Sequence, residues 1–305
     1  MLLYKKNGNS LKPVKNLWFK LEKDMQRIAE EHLQEFFWLE FITTEFALNN
    51  LRIDTLAFDA ESESFVVIEY KRGSSYSVID QGFAYLSLLL NNKADFILEY
   101  NEKCGKKLRK DDIDWSAIRV IFVADSFTRY QQDAINFKDL PIELWEMKQF
   151  SDDMIILNPI RATNTAESVK TITNLSSEMK EVQKEVRTYT INDLIKSDWN
   201  ESREIFDEIS KFIQNLDPNL QEKINKYYVW YKNKFQNLLW VNIYKSYINL
   251  VFPSLRKSDF NDFENKLIDE PTQRWWVRTD LKIYSKEDLP YAFLMIQQAY
   301  QKYNS

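Results

Sequence analysis

Arg52-Ile-Asp-Thr-Leu-Ala-Phe-Asp59, then Phe65-Val-Val-Ile-Glu-Tyr-Lys-Arg-Gly73, then Asp80-Gln-Gly-Phe-Ala-Tyr85 is the stretch on which the reading of this chain turns. The first two runs are rich in aliphatic, aromatic and β-branched residues and repeat with a period of two. They read as strands 52–59 and 64–71. Asp59–Glu63 supplies the turn that makes them antiparallel neighbours. Along the second strand, alternation sets Glu69 and Lys71 on one face and Val66, Ile68 and Tyr70 on the other. With the turn near Glu61–Glu63, Asp54 comes opposite the Glu69–Lys71 end, so two carboxylates and an ammonium converge at one sheet edge. Ser77 to about Leu90 returns to helical period through Ile79, Phe83, Leu86 and Leu90. On that helix Gln81 and Tyr85 lie four apart and share a face.

Working outward, Phe41–Leu48 reads as a third strand joined through Asn49-Asn50. Lys15 to Phe37 reads as one amphipathic helix, with Leu17, Leu21, Met25, Ile28 and Leu33 at helical spacing. Ala94–Tyr100 fits either an extension of the Ser77–Leu90 helix or a short strand. A basic loop (Lys103–Lys110), a strand (Ile118–Ala124), a helix (Thr128–Phe137) and a strand pair (Ile142–Lys148, Met154–Leu157) complete a mixed α/β domain ending near residue 160. Arg161–Thr188 holds no aromatic residue in 28 positions, where the chain's 15% average predicts about four. It reads as a polar connector, partly helical in its second half. Residues 189–305 read as a smaller α+β domain. Its expected elements are helices near Ile191–Asn215 and Pro218–Lys234, strand-like segments Leu239–Phe252 and Trp275–Ile283, and a last helix from Ser285 to Tyr303.

Composition narrows the chemistry. A chain of 305 residues suggests two domains, and 44% hydrophobic content excludes wholesale disorder. It has one His (His32), one Cys (Cys104) and four Gly. An internal disulfide, a Cys/His zinc cluster and a glycine-rich phosphate loop are thereby excluded. Any metal must be held by carboxylates, which favours a hard ion. No apolar stretch approaches the ~20 residues of a membrane span and no leader pattern is visible, so the cytoplasm is the expected compartment. Residues 1–160 carry 20 basic and 26 acidic side chains, whereas 161–305 carry 21 and 20. The acidity therefore sits in the first domain.

Paired carboxylates with a lysine suit metal-assisted phosphodiester hydrolysis. Asp54 and Glu69 would hold a divalent ion, with the backbone carbonyl of Tyr70 as a further oxygen ligand. Lys71 would orient the attacking water or stabilise developing negative charge. Gln81 and Tyr85 would fix Lys71 or the water. At these residues the sequence resembles the PD-(D/E)XK nuclease superfamily and, within it, the NucS-like endonucleases. The matched pattern is Arg-Ile-Asp-x-Leu-Ala-x-Asp, an apolar strand ending in Glu-x-Lys-Arg, and Gln-x-x-x-Tyr on the next helix. Ile53 stands where the name-giving proline would be.

The resemblance covers about residues 21–159. It implies a restriction-endonuclease-like mixed sheet flanked by helices, with Asp54, Glu69 and Lys71 as the catalytic set and Gln81 and Tyr85 in support. It also implies Mg²⁺ or Mn²⁺, a DNA substrate and an upstream acidic ligand. Glu22 and Glu45 compete for that last role, with Glu22 preferred. Ile205 to Tyr303 resembles an accessory domain of unknown function that follows such nuclease-like domains. Whole-length relatives also carry the label of predicted transport proteins, which the lack of a membrane span argues against.

Arg52 and Arg72 beside the carboxylates, and Lys106, Lys107 and Arg109 in the basic loop, are the expected phosphate contacts. The partner expected is nucleic acid, DNA first, with a homodimer left open and no membrane. Plainer readings stand beside these. The charged trio may be read as a surface ion-pair cluster worth ~0–1 kcal/mol, or as a catalytically inactive nuclease-fold module that binds nucleic acid or a protein. Asp111, Asp112 and Asp114 follow the basic loop at once, so a solvated loop is its simpler meaning. His32 reads as a packed or surface histidine. Cys104 reads as an incidental thiol whose basic surroundings would lower its pKa. Trp275-Trp276 beside Arg274 and Arg278 suits base stacking or the rim of a core.

Overall fold

A computed structural model describes the chain except for residues 1–2, 73–76, 138–139, 164–165, 168–178, 181, 183–184, 186–188, 219, 233–236, 271–276 and 304–305. The chain divides into two compact units, Met1–Arg187 and Thr188–Ser305.

The first unit is built on a mixed sheet. An exposed hairpin, β1 (Tyr4–Asn7) and β2 (Ser10–Pro13), leads to a two-residue strand β3 (Asn16–Leu17) and helices α1 (Glu22–Glu31) and α2 (Leu33–Phe37). The meander β4 (Glu40–Leu48), β5 (Leu51–Asp59) and β6 (Ser64–Lys71) follows, then α3 (Val78–Asn91) and α4 (Lys93–Cys104). Strand β7 (Arg119–Ala124), α5 (Arg129–Ala134), β8 (Ile142–Phe150) and β9 (Met154–Ile160) close it. The strand order is β3-β8-β7-β6-β5-β4, with β9 also on β8. β4–β5–β6 are antiparallel, while β6–β7 and β7–β8 are parallel.

The turns follow from their residues. Asn49 and Asn50 both take positive φ, 49° and 64°, which closes the two-residue hairpin between Leu48 and Leu51. Asp59 Oδ1 accepts the N–H groups of Glu61 and Ser62 at 2.9 and 3.2 Å, pinning the β5–β6 turn. Alternation then assigns the faces. Val66, Ile68 and Tyr70 pack with Met25, Ala29 and Leu33 of α1 and α2. Phe65 and Val67 pack on the other side with Phe83, Leu86, Phe96 and Tyr100 of α3 and α4.

Gly82 lets α3 lie close to the sheet, because a Cβ there would sit 2.5 Å from Ile142 Cδ1. Gly82→Leu is expected to cost about 3 kcal/mol through overpacking, read as a lowered urea midpoint with an unchanged m-value.

Several expectations change. Lys15–Phe37 is not one helix. Residues 16–17 run extended against Phe150 and Gln149, and Leu17 and Leu21 are exposed. Their helical spacing is coincidental, and the buried stripe is Met25, Ala29 and Leu33. Ala94–Tyr100 belongs to a separate helix, α4. Most of 161–188 lies outside the described residues, yet Val182 is buried in the first unit's core and Lys93 Nζ meets Glu185 Oε2 at 2.6 Å. That stretch is therefore partly packed rather than a free connector.

The second unit carries α6 (Ile191–Leu194) and α7 (Asn200–Leu216), then β10 (Gln221–Ile224), β11 (Val229–Lys232), β12 (Asn237–Ile243) and β13 (Ile248–Pro253). Strands β14 (Ile268–Glu270) and β15 (Arg278–Ile283) and helix α8 (Leu289–Tyr303) complete it. The sheet order is β10-β11-β12-β13-β15-β14, antiparallel throughout. The helix expected over Pro218–Lys234 is instead the β10–β11 hairpin. Val229 and Tyr231 alternate into the core, and Asn225 Oδ1 accepts the N–H groups of Tyr227 and Tyr228 at 2.8 Å, turning the chain. Trp275, Trp276 and Arg274 lie outside the described residues.

Candidate functional site

The register between β5 and β6 runs Phe58↔Phe65, Ala57↔Val66, Leu56↔Val67 and Thr55↔Ile68. One step further sets Asp54 opposite Glu69, where the ladder stops. The next N–H groups of β6 that point to that edge are those of Tyr70 and Arg72. Side chains take them up: Asp54 Oδ2 accepts from Tyr70 at 3.0 Å and Glu22 Oε1 from Arg72 at 2.6 Å. A strand end is thus capped by two carboxylates, one from β5 and one from the first turn of α1.

Glu69 is buried at 5% exposure. Its Oε1 accepts from Lys71 Nζ at 2.7 Å and from Gln81 Nε2 at 3.0 Å, and its Oε2 accepts from the Tyr85 hydroxyl at 2.9 Å. Gln81 also donates to the Tyr85 oxygen at 3.2 Å, and that hydroxyl lies 2.9 Å from the Arg52 carbonyl. One proton serves two acceptors there, so Tyr85 bridges the carboxylate and the β5 backbone. Burial, followed by the charge of Glu69, pushes the phenol of Tyr85 well above its ordinary value, so it stays a donor.

Asp54 has the opposite character. Burial, then the like charges of Glu69 and Glu22, outweigh the Tyr70 hydrogen bond and Lys71 and push its pKa up to about 6. The edge concentrates more negative charge than its one lysine balances.

Asp54, Glu69, Lys71, Gln81, Tyr85, the Tyr70 backbone and Glu22 therefore gather at one place. Glu45 does not join them. It takes a positive φ of 55° and its carboxylate pairs with Lys23 at 3.5 Å and with Arg52. That pairing occupies Arg52, expected as a phosphate contact, while Arg72 donates from its guanidinium to the Lys20 carbonyl. Lys106, Lys107 and Arg109 lie elsewhere. Their loop follows Cys104, whose Sγ reaches the Phe41 carbonyl, and precedes Asp114, whose N–H donates to Glu63 O at 2.8 Å. Those partners belong to the β5–β6 turn end of the sheet, away from Asp54. Cys104 is shifted upward to about 11 by burial and then by Glu40, with Lys106 opposing, contrary to its basic-loop reading. His32 is exposed and sits against Phe36, ring centroids 5.7 Å apart.

A second network backs the strand from the α1 side. Gln26 Nε2 donates to the Asp54 carbonyl at 2.9 Å, to Thr44 Oγ1 at 2.9 Å and to Glu30 Oε1 at 3.0 Å. Thr55 Oγ1 donates to the same Glu30 oxygen at 2.6 Å and neighbours the Tyr70 hydroxyl at 3.3 Å. Sequence reading missed these residues. The available signal was the stripe Glu22, Gln26, Glu30, one polar residue every four along an amphipathic helix.

A hard divalent cation fits this donor set on one count and is limited on another. The groups are all oxygen, and Asp54 holds its proton tightly because uncompensated negative charge surrounds it. Among the described residues, no group of three or more His, Cys, Asp or Glu side chains is placed to hold a metal. Mg²⁺ commonly needs only one or two carboxylates, keeping waters and taking substrate oxygens for the rest. Asp54, Glu69 and the Tyr70 carbonyl meet that requirement. Glu22 adds charge, while its Oε1 is held by the Arg72 amide.

An uncharacterised protein of Haemophilus influenzae is 38% identical over 301 residues, covering 98% of this chain and 99% of that protein. The chain belongs to the family of that protein. A family model described as "Domain of unknown function (DUF5655)" matches residues 191–302, within the second unit. Among solved structures, a repair endonuclease from Pyrococcus abyssi aligns over 43% of this chain and 50% of its own, at 17% identity and a TM-score of 0.24. The EndoMS–dsDNA complex aligns over 48% of this chain and 64% of its own, at 16% identity and a TM-score of 0.27. The chain thus spans between half and two thirds of these distant structures. Among the described residues, no helix is long and apolar enough to cross a membrane.

Proposed function

We propose that the first unit hydrolyses phosphodiester bonds in nucleic acid, DNA foremost, with Mg²⁺ or Mn²⁺ held by Asp54, Glu69 and the Tyr70 carbonyl. The observation that carries this reading is the placement of Asp54 opposite Glu69, with Lys71 on the same carboxylate and too little positive charge to balance the pair. When bound, the metal supplies Lewis acidity at the phosphate and acidifies its water. The chain's own residues do the rest. Asp54 is set by the Tyr70 amide, and Glu69 is oriented by Gln81 and Tyr85. Lys71, 13% exposed and 2.7 Å from Glu69, is positioned to turn toward an attacking water or a phosphate oxygen.

The test is incubation of the full chain with branched, mismatched and single-stranded DNA in Mn²⁺, beside Lys71→Met and Tyr85→Phe. Expected are cleavage by the wild type, loss of about 10²–10³-fold in rate for Lys71→Met and ten- to hundredfold weaker metal affinity or activity for Tyr85→Phe. Equal rates for wild type and Lys71→Met would overturn the reading.

One observation favours the non-catalytic module instead: both oxygens of Glu69 are already engaged by protein donors. Calorimetric titration with Mn²⁺ separates the two. Heat of binding lost in Glu69→Ala supports the metal site, and no heat in the wild type supports the module.

A further inference from the structure

The helices of the second unit cover one face of its sheet. Val229, Tyr231, Leu239, Val241, Leu250 and Leu281 point to that face and pack with α7 and α8. Alternate residues build the other face, on which no helix packs among the described residues. The strand registers line them up in one row across all six strands: Lys223, Trp230, Trp240, Val251, Asp280 and Ile268. A second row runs Asn242, Asn249, Lys282.

This face combines aromatic rings with lysines. Lys232 Nζ lies 4.2 Å and Lys223 Nζ 5.5 Å from the centre of the Trp230 ring. Tyr228 and Trp240 stack at 5.4 Å, forming a buried floor beside Trp230. At the sheet's end Tyr244 stacks on Tyr247 at 4.6 Å, Tyr247 meets Tyr284 at 5.7 Å, and Lys282 Nζ stands 5.6 Å over Tyr247. Tyr244 and Tyr284 are 44% and 58% exposed, unusual for phenols that serve only a core.

Charge separates the two faces. The helix side exposes Glu201, Glu204, Asp207 and Glu208 of α7. On the open face Asp280 is held by both guanidinium arms of Arg278, at 2.7 and 2.6 Å, and Glu270 is the register partner of Arg278. The lysines carry the remaining positive charge.

From this arrangement we infer that the open face of the second unit binds single-stranded nucleic acid. Unpaired bases stack on Trp230 and on the exposed tyrosines, and Lys223, Lys232 and Lys282 exchange their ring contacts for phosphates. A duplex hides its base faces and cannot use the rings, so single strands are preferred. Binding needs no metal and stands apart from the chemistry proposed for the first unit.

The test is fluorescence anisotropy of the full chain with a labelled oligothymidylate of about 16 nucleotides, in a chelator at low salt. Binding at least about tenfold tighter than to a duplex of the same length is expected. Lys282→Glu/Tyr284→Ala, at two exposed positions, is expected to weaken it at least tenfold and to lower the slope of log affinity on log salt by about 0.7 per lysine removed. Trp230→Phe should bind nearly as the wild type does, and Trp230→Ala about tenfold more weakly. Asp54→Asn should bind as the wild type, whatever it does in a cleavage assay. Absence of oligothymidylate binding, equal or tighter duplex binding, unchanged affinity in Lys282→Glu/Tyr284→Ala, or loss of binding in Asp54→Asn would each overturn the inference.

Discussion

Asp54→Asn is expected to make the metal-free protein more stable at pH 8 while removing at least about 10³-fold of any Mn²⁺-dependent cleavage. Both effects share one cause. The Asp54 carboxyl keeps its proton up to about pH 6, against an ordinary value of 3.8. Between those values the folded chain holds a proton that the unfolded chain has released. Stability from this group is therefore fully present below the ordinary carboxylate range and is lost as pH rises through 6. The loss is on the order of 3 kcal/mol at neutral pH. Asparagine has no charge to bury and can still accept the Tyr70 amide. Chemical denaturation of both forms should show a gap of about 2 kcal/mol at pH 8 that closes near pH 4. Mn²⁺ should then stabilise the wild type and leave Asp54→Asn unmoved. A variant less stable than the wild type at pH 8 would show that charge is not concentrated at this edge. Cleavage at wild-type rates would remove Asp54 from the chemistry.

Arg119→Met is the largest stability loss expected. Arg119 holds Asp59 at 2.8 Å and Glu143 at 3.1 Å, with the Arg119 and Asp59 side chains 15% and 14% exposed. Burial alone would raise the Asp59 carboxyl. The charge and hydrogen bonds of Arg119 outweigh it and hold the group below its ordinary value. Asp59 also anchors the β5–β6 turn through its other oxygen. Removing the guanidinium leaves a buried charge uncompensated, at a cost of about 3–5 kcal/mol. The wild-type pair contributes above the ordinary carboxylate range and fades as pH falls through the lowered value of Asp59. The deficit of Arg119→Met should therefore be greatest at pH 7 and shrink toward pH 3, read from urea midpoints at both. A deficit below 1 kcal/mol at pH 7 would mean that solvent screens the pair.

Much of the site was legible because it is local. Period-two alternation in 52–59 and 64–71, the Asn49-Asn50 turn and the four-residue spacing of Gln81 and Tyr85 are short-range signals, and they place Asp54, Glu69, Lys71, Gln81 and Tyr85 together. Illegible features depend on distant partners. Choosing Glu22 over Glu45 needs the packing of α1 against β6 and the pairing of Glu45 with Lys23 and Arg52. Leu17 and Leu21 mimic a helical stripe because nothing in residues 15–21 announces that Phe150 will claim Asn16 as a strand partner. Lys and Tyr between 221 and 232 disguise a hairpin whose buried positions are only Val229 and Tyr231. The basic loop reads as phosphate-binding until the sheet shows which end it occupies.

The two carboxylates that cap β6 have a spectroscopic consequence. The amide protons of Tyr70 and Arg72 point at Asp54 and Glu22, so their ¹⁵N–¹H resonances register the charge on those oxygens directly. In a pH titration the Tyr70 cross-peak should move with a midpoint near 6, the value of its acceptor. Addition of Mg²⁺ should shift the same peak without a change in pH. Two backbone amides thus act as resident electrometers, reporting the occupancy of the site with no substrate, label or turnover.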